Sequence, residues 1–248
     1  MKVRLAAFVF LAILSASRPA SAQAPPNRST VYQGTAGQKI EFPAAVYAPN
    51  ADLTIEAWVY REDELRCETI ISQDYTTSFW FGFCNGHLRF YRSGFFSADA
   101  DRNVPKHRWT HVAASYSATN TTGAVQFFID GQAAGMKALS NGGAGHNLKL
   151  DLGSDPSGYP FQGALDEVRL WSMARTQSEN QANRFVEIAV ATNLAAAFPQ
   201  GGSYEAVANR NATTVSNATQ QVFGVLPRDL IVPVTAVGGR NSVENRND

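Results

Sequence analysis

Cysteine is nearly absent: the 248-residue chain has two, Cys67 and Cys84. Two thiols with no His or Cys pair nearby do not make a zinc site, which needs four ligands. In an oxidising compartment an isolated pair bonds to itself. Each cysteine sits beside a predicted strand, so a cross-strand bridge is expected, and closing a loop of this size stabilises a fold by about 3 kcal/mol. Charge is also scarce, at 17% of residues. No basic block occurs. Without Lys2, Arg4 and Arg18 of the first 22 residues, 18 bases stand against 21 acids, a net of −3. That argues against a nucleic-acid or anionic-membrane partner. No nucleophile elbow, P-loop or dinucleotide fingerprint appears. The Gly-rich residues 141–145 precede no helical pattern and read as a loop, not a phosphate cradle.

Long apolar runs are missing after the first residues. Lys2 and Arg4 precede LAAFVFLAIL (residues 5–14), which is too short to span a bilayer. Ala20-Ser21-Ala22 is a small-residue cleavage site, so residues 1–22 read as a signal peptide. Residues 23–29 form a Pro-containing flexible lead-in, 30–200 a single domain, and 201–248 an irregular, partly disordered extension. The expected location is the periplasm, the cell surface or the medium, with no membrane insertion after cleavage. Sequons begin at Asn27, Asn120, Asn211 and Asn217.

What the chain does have is period-two alternation. In LTIEAWVY (residues 53–60), Leu53, Ile55, Ala57 and Val59 face one way and Thr54, Glu56, Trp58 and Tyr60 the other. Short strands are also predicted at 69–72, 79–83, 87–92, 109–116, 124–130, 148–152 and 193–198. Asn85-Gly86 and Asp130-Gly131 are hairpin turns, because these residues tolerate positive φ. Residues 30–32 and 38–42 read as a first hairpin, 93–106 as a polar loop, and 176–187 as one or two helical turns. Many short strands with regular turns mean an all-β sandwich or barrel. In FQGALDEVRLWSMART (residues 161–176), strict alternation places Asp166 with Val168 and Leu170 on the core face. A carboxylate there needs a cation or several hydrogen-bond donors.

LTIEAWVY (53–60), HRWTHVAASYSA (107–118), VQFFIDGQ (125–132) and FQGALDEVRLW (161–171) occur in that order. Together they resemble the laminin-G-like, or concanavalin A-like, domains of secreted and cell-surface proteins, over about residues 30–175. The resemblance implies an all-β, two-sheet antiparallel jelly-roll sandwich. It also implies carbohydrate or extracellular protein ligands and, in many members, a structural calcium. Asp166 matches the Asp that opens the last strand and ligates calcium in laminarinase-like relatives. Gln33 and Gln38 stand where the family often has acids, which removes two anionic ligands. The other reading of Asp166 is a carboxylate satisfied by backbone N–H groups. Residues 193–202 (NLAAAFPQGG) are similar to a strand and Glu-Gly that often precede such domains; here they follow it, with Gln200 in place of the Glu.

Glycoside hydrolysis needs two carboxylates flanking the bond. Glu62, Asp63, Glu64 and Glu68 lack the expected alternation and read as a solvated cluster. His107 and His111 lie about 13 Å apart on a strand, too far to share zinc, so they, His87 and His146 are expected to be structural or at the surface. Loop and outward aromatics are Tyr75, Trp80, Tyr91, Phe95, Phe96 and Tyr159, of which Tyr75, Trp80, Phe95 and Phe96 are the candidate ligand-binding group. The expected function is a secreted, non-catalytic module that binds a glycan or an extracellular protein. The alternatives are a glycoside hydrolase with a non-standard carboxylate pair and a structural cell-surface assembly protein.

Overall fold

The computed structural model describes residues 29–42, 51–62, 66–73, 78–92, 96–118, 122–140, 149–156, 158–186, 188 and 191–198, with short strand segments between 205 and 242. The expected signal peptide and the expected lead-in up to residue 28 lie outside these residues.

The strands are β1 (Ser29–Gln33), β2 (Lys39–Phe42), β3 (Leu53–Arg61), β4 (Cys67–Gln73), β5 (Phe79–Cys84), β6 (His87–Arg92), β7 (Phe96–Asn103), β8 (Trp109–Ser117), β9 (Thr122–Ile129), β10 (Gln132–Ser140), β11 (Leu150–Leu152), β12 (Gln162–Trp171) and β13 (Leu194–Phe198). They form two antiparallel sheets, as the alternation predicts. The first runs β10–β9–β8–β3–β12–β1 and the second β2–β11–β4–β5–β6–β7. Thr214–Ser216 extends the second sheet beside β2, and Thr219–Gln221 extends the first beside β1. On β12, the edge away from β3 is shared: β1 pairs with Gln162–Leu165 and β13 with Val168–Trp171.

The inner faces meet in one core. Leu53, Ile55, Ala57 and Val59 of β3 pack with Val112, Ala114 and Tyr116 of β8 and with Phe79, Phe81, Phe83, Leu88 and Phe90 of the opposing sheet. Each fully buried Phe or Leu contributes roughly 1.5–3 kcal/mol. Arg61 and Glu68 are buried inside this core. Arg61 Nη2 lies 3.3 Å from Glu68 Oε2, Arg61 Nη1 donates to Val104 O at 2.9 Å, and the guanidinium sits 4.2 Å over the Phe83 ring. Both hairpin turns have the expected geometry, with φ of 51° and 83° at Asn85-Gly86 and 52° and 73° at Asp130-Gly131.

Three sequence expectations are corrected. Residues 30–32 and 38–42 do not form a hairpin. The chain turns at Gly34 and Gly37, with φ of 72° and 77°, and crosses between sheets. Both edges of β1 are already taken, by β12 and Thr219–Gln221, while β2 pairs with β11. Residues 93–106 are not simply a loop. Ala98 and Ala100 of β7 alternate inward beside Phe90, and charged outward neighbours mask that pattern. Asp166 does not share the core face with Val168 and Leu170. The β12–β3 register shifts between Asp166 and Arg169, with Glu167 at φ 49°. This bulge inserts one residue and reverses the alternation. Leu165, Val168 and Leu170 therefore face the core, while Asp166 opposes Trp58 on the other face.

That other face of the first sheet is covered by α1 (Gln177–Asn183) and the turn after it. Thr176 caps α1 with a capping box, its hydroxyl accepting from Glu179 N. Trp58 Nε1 donates to Arg184 O at 2.6 Å, and the Trp58 ring lies 5.3 Å from that of Phe185. Beneath this cover Glu56 Oε1 accepts from Trp171 Nε1 at 2.9 Å and Arg169 Nη1 at 3.3 Å, and Glu56 Oε2 lies 3.4 Å from His111 Nε2. Arg169 also donates to Glu167 and to the Asn183 and Val186 carbonyls. Burial alone would raise the Glu56 pKa, but His111, then Arg169 and Arg175, bring it down to about 2. His111 is thus a buried structural residue.

Candidate functional site

The outer face of the second sheet is the less covered one. Alternation sends Thr69, Trp80, Gly82, Arg89 and Tyr91 onto it, opposite the Phe79–Phe81–Phe83 core row. Cys67 and Cys84 oppose each other on the same face and form the expected disulfide.

Trp80 lies over Gly82 and is buried, at 4% exposed. Its Nε1 donates to Thr69 Oγ1 at 2.8 Å. The indole occupies the space left by Gly82, where a Cβ would sit 2.8 Å from the ring and 2.0 Å from Glu68 O. Tyr159 stands against it edge-on, with ring centroids 6.4 Å apart, and Thr69 N donates to Tyr159 O at 2.9 Å. The result is a pocket of about 140 Å³ lined by Trp80, Tyr91, Tyr159, Arg89, Asp155 and the disulfide. Arg89 is held in a two-pronged pair, Nε to Asp99 Oδ1 at 2.5 Å and Nη2 to Asp99 Oδ2 at 2.7 Å. That pairing raises its pKa further. Asp155 Oδ1 accepts from Gly158 N at 3.0 Å and closes the turn that carries Tyr159.

Beyond Trp80 the face becomes ionic. Ser72 and Asp151 follow across β4 and β11, then Glu41 on β2. Lys39 bonds both Glu41 and Asp151 at 3.0 Å, and Lys149 bonds Glu41 at 2.6 Å. Burial pushes the Asp151 pKa up. Burial would lower Lys39, but its bonds to Asp151 and Glu41 raise it. Lys149 holds Glu41 below the usual range.

Of the predicted ligand-binding group, Trp80 lines the pocket. Phe96 does not: it pairs with Arg92 at the start of β7, on the parity opposite Tyr91, and is 43% exposed. Tyr75 and Phe95 lie outside the described residues, as do Asp63 and Glu64. Tyr91 and Tyr159 stand out in the sequence only as outward or loop aromatics, and the fold brings both to Trp80. Arg89, Asp155 and the disulfide carry no local signal of sharing a site. Glu68 is not part of a solvated cluster: it is fully buried, because Arg61 pairs with it inside the core and Gln162 N donates to it at 2.9 Å.

Asp166 is fully buried and its Oδ1 accepts from Glu167 N at 2.8 Å. Calcium takes about six to eight oxygens. Among the described residues, no group of three or more His, Cys, Asp or Glu is gathered to hold a metal.

The family model described as the concanavalin A-like lectin/glucanases superfamily, of the laminin G type, matches residues 33–179. The chain belongs to this superfamily. Mouse pappalysin-1 is 26% identical over 190 residues, covering 66% of this chain, and the chain spans only 11% of that protein's length. A proposed carbohydrate-binding protein from Bacteroides ovatus superposes with a TM-score of 0.62 at 17% identity, over 80% of this laminin-G-type chain and 60% of that one. The heptameric SAP-like pentraxin of Limulus polyphemus superposes with a TM-score of 0.54 at 15% identity, over 80% of this chain and 96% of its own. At these identities the likeness is one of fold. The disulfide matches usage in oxidising compartments. Among the described residues no helix is long and apolar enough to cross a membrane.

Proposed function

We propose that this laminin-G-type domain is a secreted, non-catalytic carbohydrate-binding module, with the ligand seated in the Trp80–Tyr91–Tyr159 pocket. The carrying observation is the convergence of three aromatic side chains with an oriented guanidinium and a carboxylate in one concavity. A sugar has apolar C–H faces that pack on rings and hydroxyls that need directional donors and acceptors. The carboxylates of this face are engaged: Asp99 by Arg89, Asp151 by Lys39, Glu41 by two lysines and Asp155 by Gly158 N. Held in these bonds, such carboxylates are placed to orient the hydroxyls of a ligand. The shared fold with a proposed carbohydrate-binding protein supports this reading. Export is supported by the leader-like first 22 residues and the disulfide.

A glycan array with tryptophan fluorescence tests the proposal. Tyr159→Ala removes a ring that is 44% exposed, so it is expected to weaken binding at least about tenfold without lowering the melting temperature. Trp80→Phe keeps packing but loses the Thr69 bond, and is expected to weaken binding. If Tyr159→Ala binds the array as tightly as the parent, the pocket assignment is wrong.

A further inference from the structure

We propose that the pocket takes one neutral sugar unit at the end of a glycan chain, rather than a stretch within it. This rests on the carbohydrate reading above and sharpens it.

Three observations lead here. The first is size. The pocket encloses about 140 Å³, below the roughly 300–1,000 Å³ of sites that engulf larger ligands. The second is the direction in which the walls close. Trp80 lies across the floor, Tyr159 stands edge-on to it, and the Cys67–Cys84 bridge and Arg89 line the same hole. A chain running along the sheet would have to pass through Tyr159, whose backbone is tied to Thr69 N at 2.9 Å. The third is what lies beside the pocket. Reading across the strands from Trp80 gives Ser72, Asp151 and Glu41 on one side and Tyr91 and Ser97 on the other. A site that grips several sugars in succession needs successive apolar platforms. Here the rings converge on one spot; the β11–β2 side is tied up in Lys39–Asp151, Lys39–Glu41 and Lys149–Glu41 pairs, and the cavity of about 470 Å³ on the β7 side has no Trp, Tyr or Phe among its described lining residues.

Charge decides the class of sugar. Among the described residues lining the pocket Arg89 is the one cation, and Asp99 already takes its Nε and Nη2. Asp155 adds a second carboxylate among the described lining residues, so an acidic sugar would bring its own carboxylate beside those of Asp99 and Asp155. A neutral terminal unit can place an apolar face on the rings and its hydroxyls between Arg89 and Asp155. The walls are held before the ligand arrives, by the Trp80–Thr69 bond, the disulfide and the Gly158–Asp155 turn. That reduces the ordering cost of binding.

The test is calorimetry on the full chain with neutral oligosaccharides, namely arabino-, xylo- and gluco-series from disaccharide to hexasaccharide. Within whichever series binds, Kd per chain is expected to stay within about twofold across lengths, because added units find no further contacts. Tyr159→Ala is expected to weaken every length by the same factor, at least about tenfold. A uronic-acid-terminated analogue of the binding sugar is expected to bind at least about tenfold more weakly than its neutral counterpart. Affinity that climbs about tenfold or more from disaccharide to hexasaccharide overturns end recognition while leaving the carbohydrate reading intact. Equal or tighter binding of the acidic analogue overturns the neutral assignment. If no series and no array glycan binds, both readings fall.

Discussion

Glu56→Gln separates structural carboxylates from functional ones. Glu56 is fully buried on the helix-covered face of the first sheet, within 3.4 Å of His111, Arg169 and Trp171 donors. Its pKa falls from 4.5 to about 2, with His111 foremost and Arg169 and Arg175 next against the cost of burial. At about 1.36 kcal/mol per unit, that gap is worth about 3 kcal/mol of folding stability. The folded value lies below the unfolded one. The contribution is therefore complete above pH 4.5 and lost as pH falls towards 2. Glutamine keeps the shape but not the charge, and leaves Arg169 and Arg175 buried with less compensation. The expected loss at neutral pH is about 3–5 kcal/mol. Urea titrations from neutral to acidic pH should show the parent losing stability more steeply than the variant below pH 4.5. A variant within about 0.5 kcal/mol of the parent at neutral pH, or one with the same acid slope, refutes the charge-layer account. Because this layer and the Trp80 pocket lie on the outer faces of different sheets, glycan binding by the folded variant should match the parent's. Loss of binding at full folding would show that the charge layer and the pocket are coupled.

Replacing both Cys67 and Cys84 with serine opens a bridge of sequence separation 17 and should cost about 3 kcal/mol, read as a lower urea midpoint. An unchanged midpoint contradicts it. Gly82→Ala puts a Cβ 2.0 Å from Glu68 O and 2.8 Å from the Trp80 indole. It should destabilise by about 1–3 kcal/mol and shift tryptophan emission as the ring lifts; unaltered emission would show that the indole does not depend on that space. Millimolar calcium should leave the melting temperature unchanged, since Asp166 is buried and its carboxylate accepts from Glu167 N. A saturable rise in melting temperature with added calcium would overturn that.

Much of the fold is legible in the residues themselves. Leu53, Ile55, Ala57 and Val59 alternate without interruption, and Asn85-Gly86 and Asp130-Gly131 can adopt positive φ cheaply, so β3 and two hairpins follow from local chemistry. The failures come from non-local causes. Only the pairing of β12 with β3 reveals the bulge at Glu167 that turns Asp166 away from the core. Only the occupied edges of β1 show why β2 leaves for the other sheet.

The same division holds at the site. Period-two hydrophobicity, the isolated cysteine pair and four ordered segments of sequence determine the sandwich, the disulfide and the family, because each depends on neighbours along the chain or on a single partner. The pocket depends on register. Trp80 meets Tyr91 across one strand pair, Gly82 leaves a space only because β4 passes beside it, and Tyr159 arrives on a loop tied to Thr69. No local rule joins residues 80, 91 and 159, so the tertiary structure alone decided which aromatics form one surface.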